Sequence, residues 1–390
     1  MFACGTGTTG YGTVLPTLYE ACKDGLIEDI CVAGKDGRKR TGVTQKVNML
    51  NHLMGMNVSI AYFPDADCCN PSAYLDALER YRFDCAIIAV PDHLHFEVTQ
   101  AAIQHHLHCL VVKPFVPTLK EAQRLLQLQQ EQHIYGAVEF HKRFDEVNLR
   151  VRKMIRDRVI GDVLYSVVEY SQRKTIPLEQ FRAWVEDTNI FQYLGVHYVD
   201  MIYFCSGAFP QRVMAVGQKR FLQQQGVNTY DAIQAVIEWR MPDTDHTFVS
   251  VINTNWIDSY HSSAMSDQKI MYVGTTGRIE SDQKHRGLHV VTDDAGVEDI
   301  NPYFSDFRYD IGGAVMNFRG YGQQSVMRFL KDCYALVNEQ CFVKDLIGLR
   351  ATFQDALIST AVVESVNVSL SHHNTWVSIP PADLAYRRQT

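Results

Sequence analysis

The chain has 390 residues, 46% of them hydrophobic and 21% charged, and a net charge of −7 from 37 basic and 44 acidic side chains. That length exceeds one ordinary core and predicts two domains, while the acidic excess argues against a nucleic-acid or anionic-membrane partner. No apolar run reaches membrane-spanning length, and no basic lead with an apolar stretch opens the chain, so no membrane partner is expected.

Ten cysteines are scattered without a C-x-x-C pair. Cys31, Cys85 and Cys109 fall in expected strands, and the vicinal Cys68-Cys69 is given no redox role. Free thiols, and with them a cytoplasmic location, are the expectation.

At the N-terminus, Gly5, Gly7 and Gly10 stand in G-x-G-x-x-G spacing, with Gly12 following. In a dinucleotide site such glycines allow a tight turn, close approach of backbone to pyrophosphate, and packing of helix on strand. A helix through Val14, Leu15, Leu18, Tyr19 and Cys22 would turn its N-terminal amides toward the phosphates. A second strand follows at Ile30–Ala33. Gly5, Thr6, Gly7, Thr8, Thr9 and Gly10 are therefore expected cofactor contacts. Four residues precede Gly5, which implies a very short first strand or a start that lies upstream.

After Ala33 the chain reads Gly34-Lys35-Asp36-Gly37-Arg38-Lys39-Arg40. An acid at this strand end holds the ribose 2′-hydroxyl of NAD, whereas basic groups suit the 2′-phosphate of NADP. Lys35 and Arg38 are expected on the cofactor, and NADP is favoured over NAD, with Asp36 as the alternative ribose acid. Residues 41–80 show little pattern beyond a turn at Tyr62-Phe63-Pro64-Asp65 and a helix near Ser72–Tyr81.

The stretch Phe83–Phe115 carries the clearest signal. Two short apolar runs, Cys85–Val90 and Cys109–Val112, read as buried strands on either side of a helix marked by Phe96, Thr99, Ala101, Ala102 and Ile103. Strand, helix, parallel strand is a βαβ unit, and ligands of an open α/β sheet bind outside the carboxyl ends of its strands. Pro91, His95, Lys113 and Pro114 follow such ends and are expected in one crevice. Thr118-Leu119-Lys120-Glu121 is a capping box opening a helix to about Gln132, and a strand at Ile134–Val138 closes the first domain.

Beyond it come His141-Lys142-Arg143-Phe144, a helix over Asn148–Arg158, and strands at Val163–Tyr170, Arg212–Gln218, Ala232–Trp239, Thr247–Thr254 and Lys269–Val273. Adjacent strands without intervening helices predict a mainly antiparallel sheet. Late helices near Gln323–Asn338 and Leu346–Val366 precede a strand at Thr375–Ile379. The expected organisation is α/β: an N-terminal Rossmann doubly wound parallel sheet over residues 1–138, then an α+β domain with a large open sheet over 139–390. The late helices are allowed to pack back on the first domain.

These residues resemble the Gfo/Idh/MocA family of NAD(P)-dependent sugar and polyol oxidoreductases. The resemblance rests on the glycine turn, on Val90–Phe115, on His141–Phe144, on Ile160-Gly161-Asp162-Val163 and on Leu194-Gly195-Val196-His197-Tyr198-Val199-Asp200. It implies that Lys113-Pro114 is a cis peptide contacting substrate and nicotinamide ribose, and that the open sheet carries homodimer or homotetramer contacts. Two positions depart from the pattern: Val112 replaces the glutamate before Lys-Pro, and Tyr193 replaces the aspartate four residues before the active-site histidine.

The reaction implied is hydride transfer between a nicotinamide and a secondary alcohol or ketone of a sugar, inositol or nucleotide-sugar. Such an oxidation needs a proton acceptor, and an unperturbed histidine, at a pKa of about 6.5, suits the task. His197 is the expected base. If Ile190–Phe204 is helical, Tyr193, His197 and Asp200 share a face, so Asp200 holds the imidazole and Tyr193 meets the substrate hydroxyl. Lys113 is the expected alkoxide stabiliser, sharing proton transfer if burial lowers its pKa. Arg143, Arg173, Trp184 and Asp200 are expected on the substrate side, with Tyr260 and His261 as weaker pocket candidates. His105, His106, His108 and Cys109 lack a second cluster at ligand spacing, so no metal is expected. A nicotinamide-retaining glycosidase and a cofactor-binding regulatory protein without turnover are the alternatives.

Overall fold

The computed structural model describes residues 12–381, except 243, 310 and 314. The expected contacts Gly5, Thr6, Gly7, Thr8, Thr9 and Gly10 lie outside the described residues.

From Val14 to Glu139 the chain alternates helix and strand. Helix α1 (Val14–Lys23) leads to β1 (Ile30–Ala33), α2 (Arg40–Met54), β2 (Ile60–Phe63), α3 (Ala73–Arg80) and β3 (Cys85–Ile88). Helix α4 (His95–Gln104), β4 (His108–Val112), α5 (Leu119–Glu131) and β5 (Gly136–Glu139) follow. Strands β1 and β2 pair in parallel, and β3, β4 and β5 form a second parallel group with Ile87 beside Leu110 and Leu110 beside Ala137. Within each group successive strands are parallel and joined by a helix, the connectivity of a doubly wound sheet. The capping box is formed: the Thr118 N–H donates to Glu121 Oε2 at 3.1 Å, and the Glu121 N–H to Thr118 Oγ1 at 3.3 Å.

Helix α2 falls in the stretch that carried little pattern. Only Val47, Leu50 and Met54 of its 15 residues are buried, a stripe too narrow to stand out from polar neighbours. It ends at Gly55, which takes the left-handed conformation (φ 62) that a helix C-terminus favours.

The middle of the chain holds α6 (Glu146–Arg156), β6 (Val163–Arg173), α7 (Val196–Ser206), β7 (Phe209–Gln218), the short α8 (Phe221–Gln224), β8 (Ala232–Arg240), β9 (Thr247–Asp258), β10 (Ser266–Gly274) and β11 (Arg278–Asp282). An exposed hairpin, β12 (Leu288–Thr292) with β13 (Gly296–Ile300), comes next. A second ribbon, β14 (Asp306–Tyr309) with β15 (Met316–Arg319), precedes α9 (Tyr321–Val337) and α10 (Val343–Leu346). Helix α11 (Phe353–Ser371) and β16 (Val377–Ser378) complete the described elements. The expected helix over Leu346–Val366 therefore starts later, because Gly348 (φ 78) turns the chain and separates α10 from α11.

The large sheet runs β11-β10-β6-β9-β8-β7-β16, and only β6 and β9 pair in parallel within it. Along β8 and β9 the inward positions, such as Ile233, Ile237, Trp239, Phe248, Ile252 and Trp256, are fully buried, while the alternate positions are not. That period of two marks a sheet with one packed and one open face.

The chain forms two compact units. One comprises the described residues up to Phe115, Gln123–Phe144 and Tyr303–Phe353; the other comprises Val116–Ala122, Asp145–Pro302 and the described residues from Gln354. The expected division at 138/139 uses one cut, whereas these units cross it, with 303–353 grouped with the N-terminal residues. In the first unit α9 packs on α1, and Phe329 stacks on Tyr135 at 5.6 Å. The fully buried Glu20 of α1 accepts the Phe318 N–H at 2.6 Å and the Arg319 guanidinium at 2.6 Å, tying the returning ribbon to the opening helix.

Candidate active site

In the first unit the site is built at the carboxyl ends of β3, β4 and β5. Strand β4 runs out at Val112, and the next peptide, Lys113-Pro114, is cis, as the resemblance implied. Lys113 is buried, 7% exposed, because it continues a strand covered on both faces. Burial lowers its ammonium pKa from 10.5 to about 8, opposed by attraction to Asp92 and Glu139. Both carboxylates are themselves buried, at 3% and 8% exposure. Asp92 lies in the turn after β3, and Glu139 ends β5, where it pairs in register with Val112. The position that lost its glutamate thus has a carboxylate opposite it on the neighbouring strand. Asp92 and Glu139 were not singled out from the sequence. The signal was present, since each ends or follows a buried parallel strand as Lys113 does.

Pro91 opens the short turn before α4 and is partly exposed, whereas Pro114 is buried. His95, expected to meet the cofactor, is 1% exposed. Its Nδ1 lies 2.8 Å from the Pro114 carbonyl oxygen and 3.1 Å from that of Phe115, and its Nε2 lies 2.9 Å from the Val90 oxygen. The ring is taken up by main chain rather than presented to a ligand.

At the end of β1, Lys35 is exposed. Arg38 does not stand alone as a phosphate receptor: its guanidinium binds Asp36 at 2.8 and 2.9 Å. Asp36 also accepts the Arg38 N–H at 3.1 Å, and the pairing lowers its carboxyl pKa. A carboxylate and a guanidinium therefore share the place where a ribose would be read. These features fit a dinucleotide. Helix α1 also has no acidic residue in its first turn to repel a pyrophosphate.

In the second unit the expected helix over Ile190–Phe204 is divided. A π turn, Phe191–Gly195, precedes α7. Hydrogen bonds in a π turn span five residues, so a four-residue step no longer ensures a shared face. Tyr193 lies among rings, 4.8 Å from Phe181, 6.4 Å from Trp184 and 5.9 Å from Trp256. His197 and Asp200 are each 3% exposed on α7, and the His197 ring is 6.3 Å from that of Tyr170. Trp184 belongs to the Tyr193 aromatic group, while Arg173 at the end of β6 donates to the Ser262 hydroxyl at 3.2 Å. Arg143, in the first unit, lies over the Phe140 ring at 5.8 Å. His108, set aside as a metal ligand, accepts the Tyr135 N–H at 3.0 Å, and burial lowers its pKa. Among the described residues no group of three or more His, Cys, Asp or Glu is arranged to hold a metal.

Two sequence models of one family match this chain. The oxidoreductase family, NAD-binding Rossmann fold, covers residues 54–140, and the Gfo/Idh/MocA C-terminal domain covers 148–280. The chain belongs to the Gfo/Idh/MocA family. UDP-N-acetylglucosamine 3-dehydrogenase of Acidithiobacillus ferrooxidans is 30% identical over 149 residues, 38% of this chain and 44% of that protein. The NADP(+) scyllo-inositol 2-dehydrogenase of Bacillus subtilis is 27% identical over 185 residues, 45% of this chain and 48% of that protein. The chain thus spans about half the length of these curated relatives. An inositol dehydrogenase homolog complexed with NAD+ from Azotobacter vinelandii superposes with a TM-score of 0.66 at 17% identity, over 90% of this chain and 97% of that one. That likeness is one of fold. No helix among the described residues is long and apolar enough to cross a membrane.

Proposed function

We propose that this protein is an NAD(P)-dependent oxidoreductase that moves a hydride between a nicotinamide and a secondary alcohol or ketone of a sugar, inositol or nucleotide-sugar. One observation carries the reading: a buried lysine at the end of a Rossmann strand, held near a pKa of about 8 between two buried carboxylates. A lysine so placed exchanges a proton near neutral pH, which a solvated lysine does not. Bound nicotinamide supplies the hydride chemistry. Lys113 stabilises the developing alkoxide while charged and takes or returns the hydroxyl proton, and Asp92 and Glu139 keep its charged form accessible. The N-terminal residues 1–138 are assigned to the cofactor and the segment from 139 to substrate and assembly. His197 is assigned as a further proton acceptor with Asp200 behind it, and Tyr193, Arg143, Arg173 and Trp184 to substrate recognition.

NADP is the favoured cofactor, on the basic run Lys35, Arg38, Lys39 and Arg40, with Asp36 setting how strongly. A second copy of the chain is the proposed partner of the open sheet face. There Met214, Val236, Val251, Val167 and Met271 align in one half-buried apolar row across five strands, flanked by the exposed Tyr165 and Val216. Cys22, Cys68, Cys69, Cys85, Cys109, Cys205, Cys333 and Cys341 are free thiols and support a reducing compartment.

The test is a cofactor-coupled assay over inositols, hexoses and UDP-sugars, followed by absorbance of reduced nicotinamide. Turnover that Lys113→Ala abolishes supports the assignment. A variant as fast as wild type rejects Lys113 as the reacting group, and sugar release without net nicotinamide reduction moves the protein to the glycosidase reading.

A further inference from the structure

The His95 ring is the first side chain of α4, and it spans two neighbouring strand exits. Nε2 reaches the Val90 carbonyl, two residues past β3; Nδ1 reaches the carbonyls of Pro114 and Phe115, just past β4. A carbonyl oxygen only accepts hydrogen bonds. A neutral imidazole has one N–H, so it leaves one bare nitrogen lone pair against a carbonyl lone pair. The ring is 1% exposed, so that mismatch is costly. Only a ring with a hydrogen on each nitrogen satisfies the three oxygens. Two buried carboxylates share this corner with Lys113: Asp92, whose own carbonyl accepts the His95 backbone N–H, and Glu139, which the His141 Nδ1 also meets at 3.0 Å.

We infer that His95 is a positioning residue, an imidazolium that clamps the Lys113-Pro114 corner to the end of β3 and so fixes where the Lys113 ammonium stands. It touches neither cofactor nor substrate. The ring replaces the backbone hydrogen bonds that the two strand exits lose where the sheet ends, and it does so on both sides at once. The consequence for turnover rests on the reaction proposed above; the protonation state of the ring does not.

The test uses the full chain labelled with ring-¹⁵N histidine. Long-range ¹H–¹⁵N correlation at neutral pH, with His95 assigned by its loss in His95→Gln, is expected to show both nitrogens protonated. A neutral ring, with one nitrogen in the unprotonated range, overturns the inference whether or not any substrate is known. On the best substrate of the inositol and UDP-sugar panel, His95→Leu is expected to lower kcat by roughly tenfold to a hundredfold, the size of effect a small displacement of a reacting group produces. Its NADPH dissociation constant stays within about twofold of wild type, as for a residue outside the binding surface. His95→Gln, whose amide keeps two N–H donors, recovers part of the loss. Unchanged kcat in His95→Leu, or weakened NADPH binding as its main defect, overturns the positioning role. If His95→Leu does not fold, the wild-type spectrum still decides the protonation of the ring. His95→Gln then decides the positioning role: a lowered kcat with unchanged NADPH binding supports it, and wild-type kcat or weakened NADPH binding overturns it.

Discussion

Replacing Lys113 by methionine is expected to stabilise the protein while abolishing turnover. The side chain is buried, and its pKa falls from 10.5 to about 8 on folding. At about 1.4 kcal/mol per pKa unit, holding the charged form in the fold costs about 3 kcal/mol, as an upper bound. Below pH 8 the amine is charged in both the folded and the unfolded chain, so the cost is fully present. Between pH 8 and 10.5 the folded protein has released the proton and the unfolded chain has not, and stability therefore rises with pH. Above 10.5 both are neutral and the cost is gone. Methionine, similar in length and uncharged, carries none of it. In urea titrations of the two proteins, Lys113→Met should exceed wild type by about 1–3 kcal/mol at pH 7. The difference should shrink toward zero as pH approaches 10.5. Thiols and phenols that titrate in the same range are common to both proteins and cancel in the comparison. A variant less stable than wild type at pH 7, or a difference indifferent to pH, would refute the placement of Lys113 as a strained, buried cation.

The Asp36–Arg38 pair gives a second expectation: Asp36→Asn frees the guanidinium, so the NADP dissociation constant should fall relative to that of NAD by roughly tenfold, measured by nucleotide fluorescence, one charge-assisted contact being worth about that much. An unchanged ratio would separate this loop from cofactor choice. Tyr193→Phe keeps the ring among Phe181, Trp184 and Trp256; a loss of kcat with thermal stability unchanged isolates the hydroxyl, whereas full activity assigns Tyr193 to packing. At Gly136 an added Cβ would stand 2.5 Å from the Phe353 ring, so Gly136→Ala should lower the urea midpoint by the equivalent of about 1–3 kcal/mol, and a neutral result would mean the Phe353 ring moves aside freely.

Much of the site was legible because strand ends are local events. Lys113, Pro91 and His95 were found by locating where two apolar runs stop, and the carboxyl end of a parallel strand is a fixed address for ligands. The chemistry at that address was not local. Whether His95 faced a ligand or the main chain depended on the carbonyls of Pro114 and Phe115, 19 and 20 residues away. Arg38 read as a free cation until its partner two residues back was seen to hold it. Tyr193 and His197 looked like helical neighbours because a spacing of four was read as α-helical, whereas Phe191–Gly195 forms a π turn.

The sequence by itself determined the βαβ unit around Phe83–Phe115, the capped helix after it and the strands of the second sheet. Each of these arises from side-chain periodicity within a few residues. The tertiary structure decided the pKa of Lys113, because desolvation and the reach of Asp92 and Glu139 sum over three strands. It also decided that residues 303–353 join the N-terminal unit, through contacts such as Glu20 with Arg319, nearly 300 residues apart. Periodicity reports which face of an element is buried; only assembly reports what it is buried against.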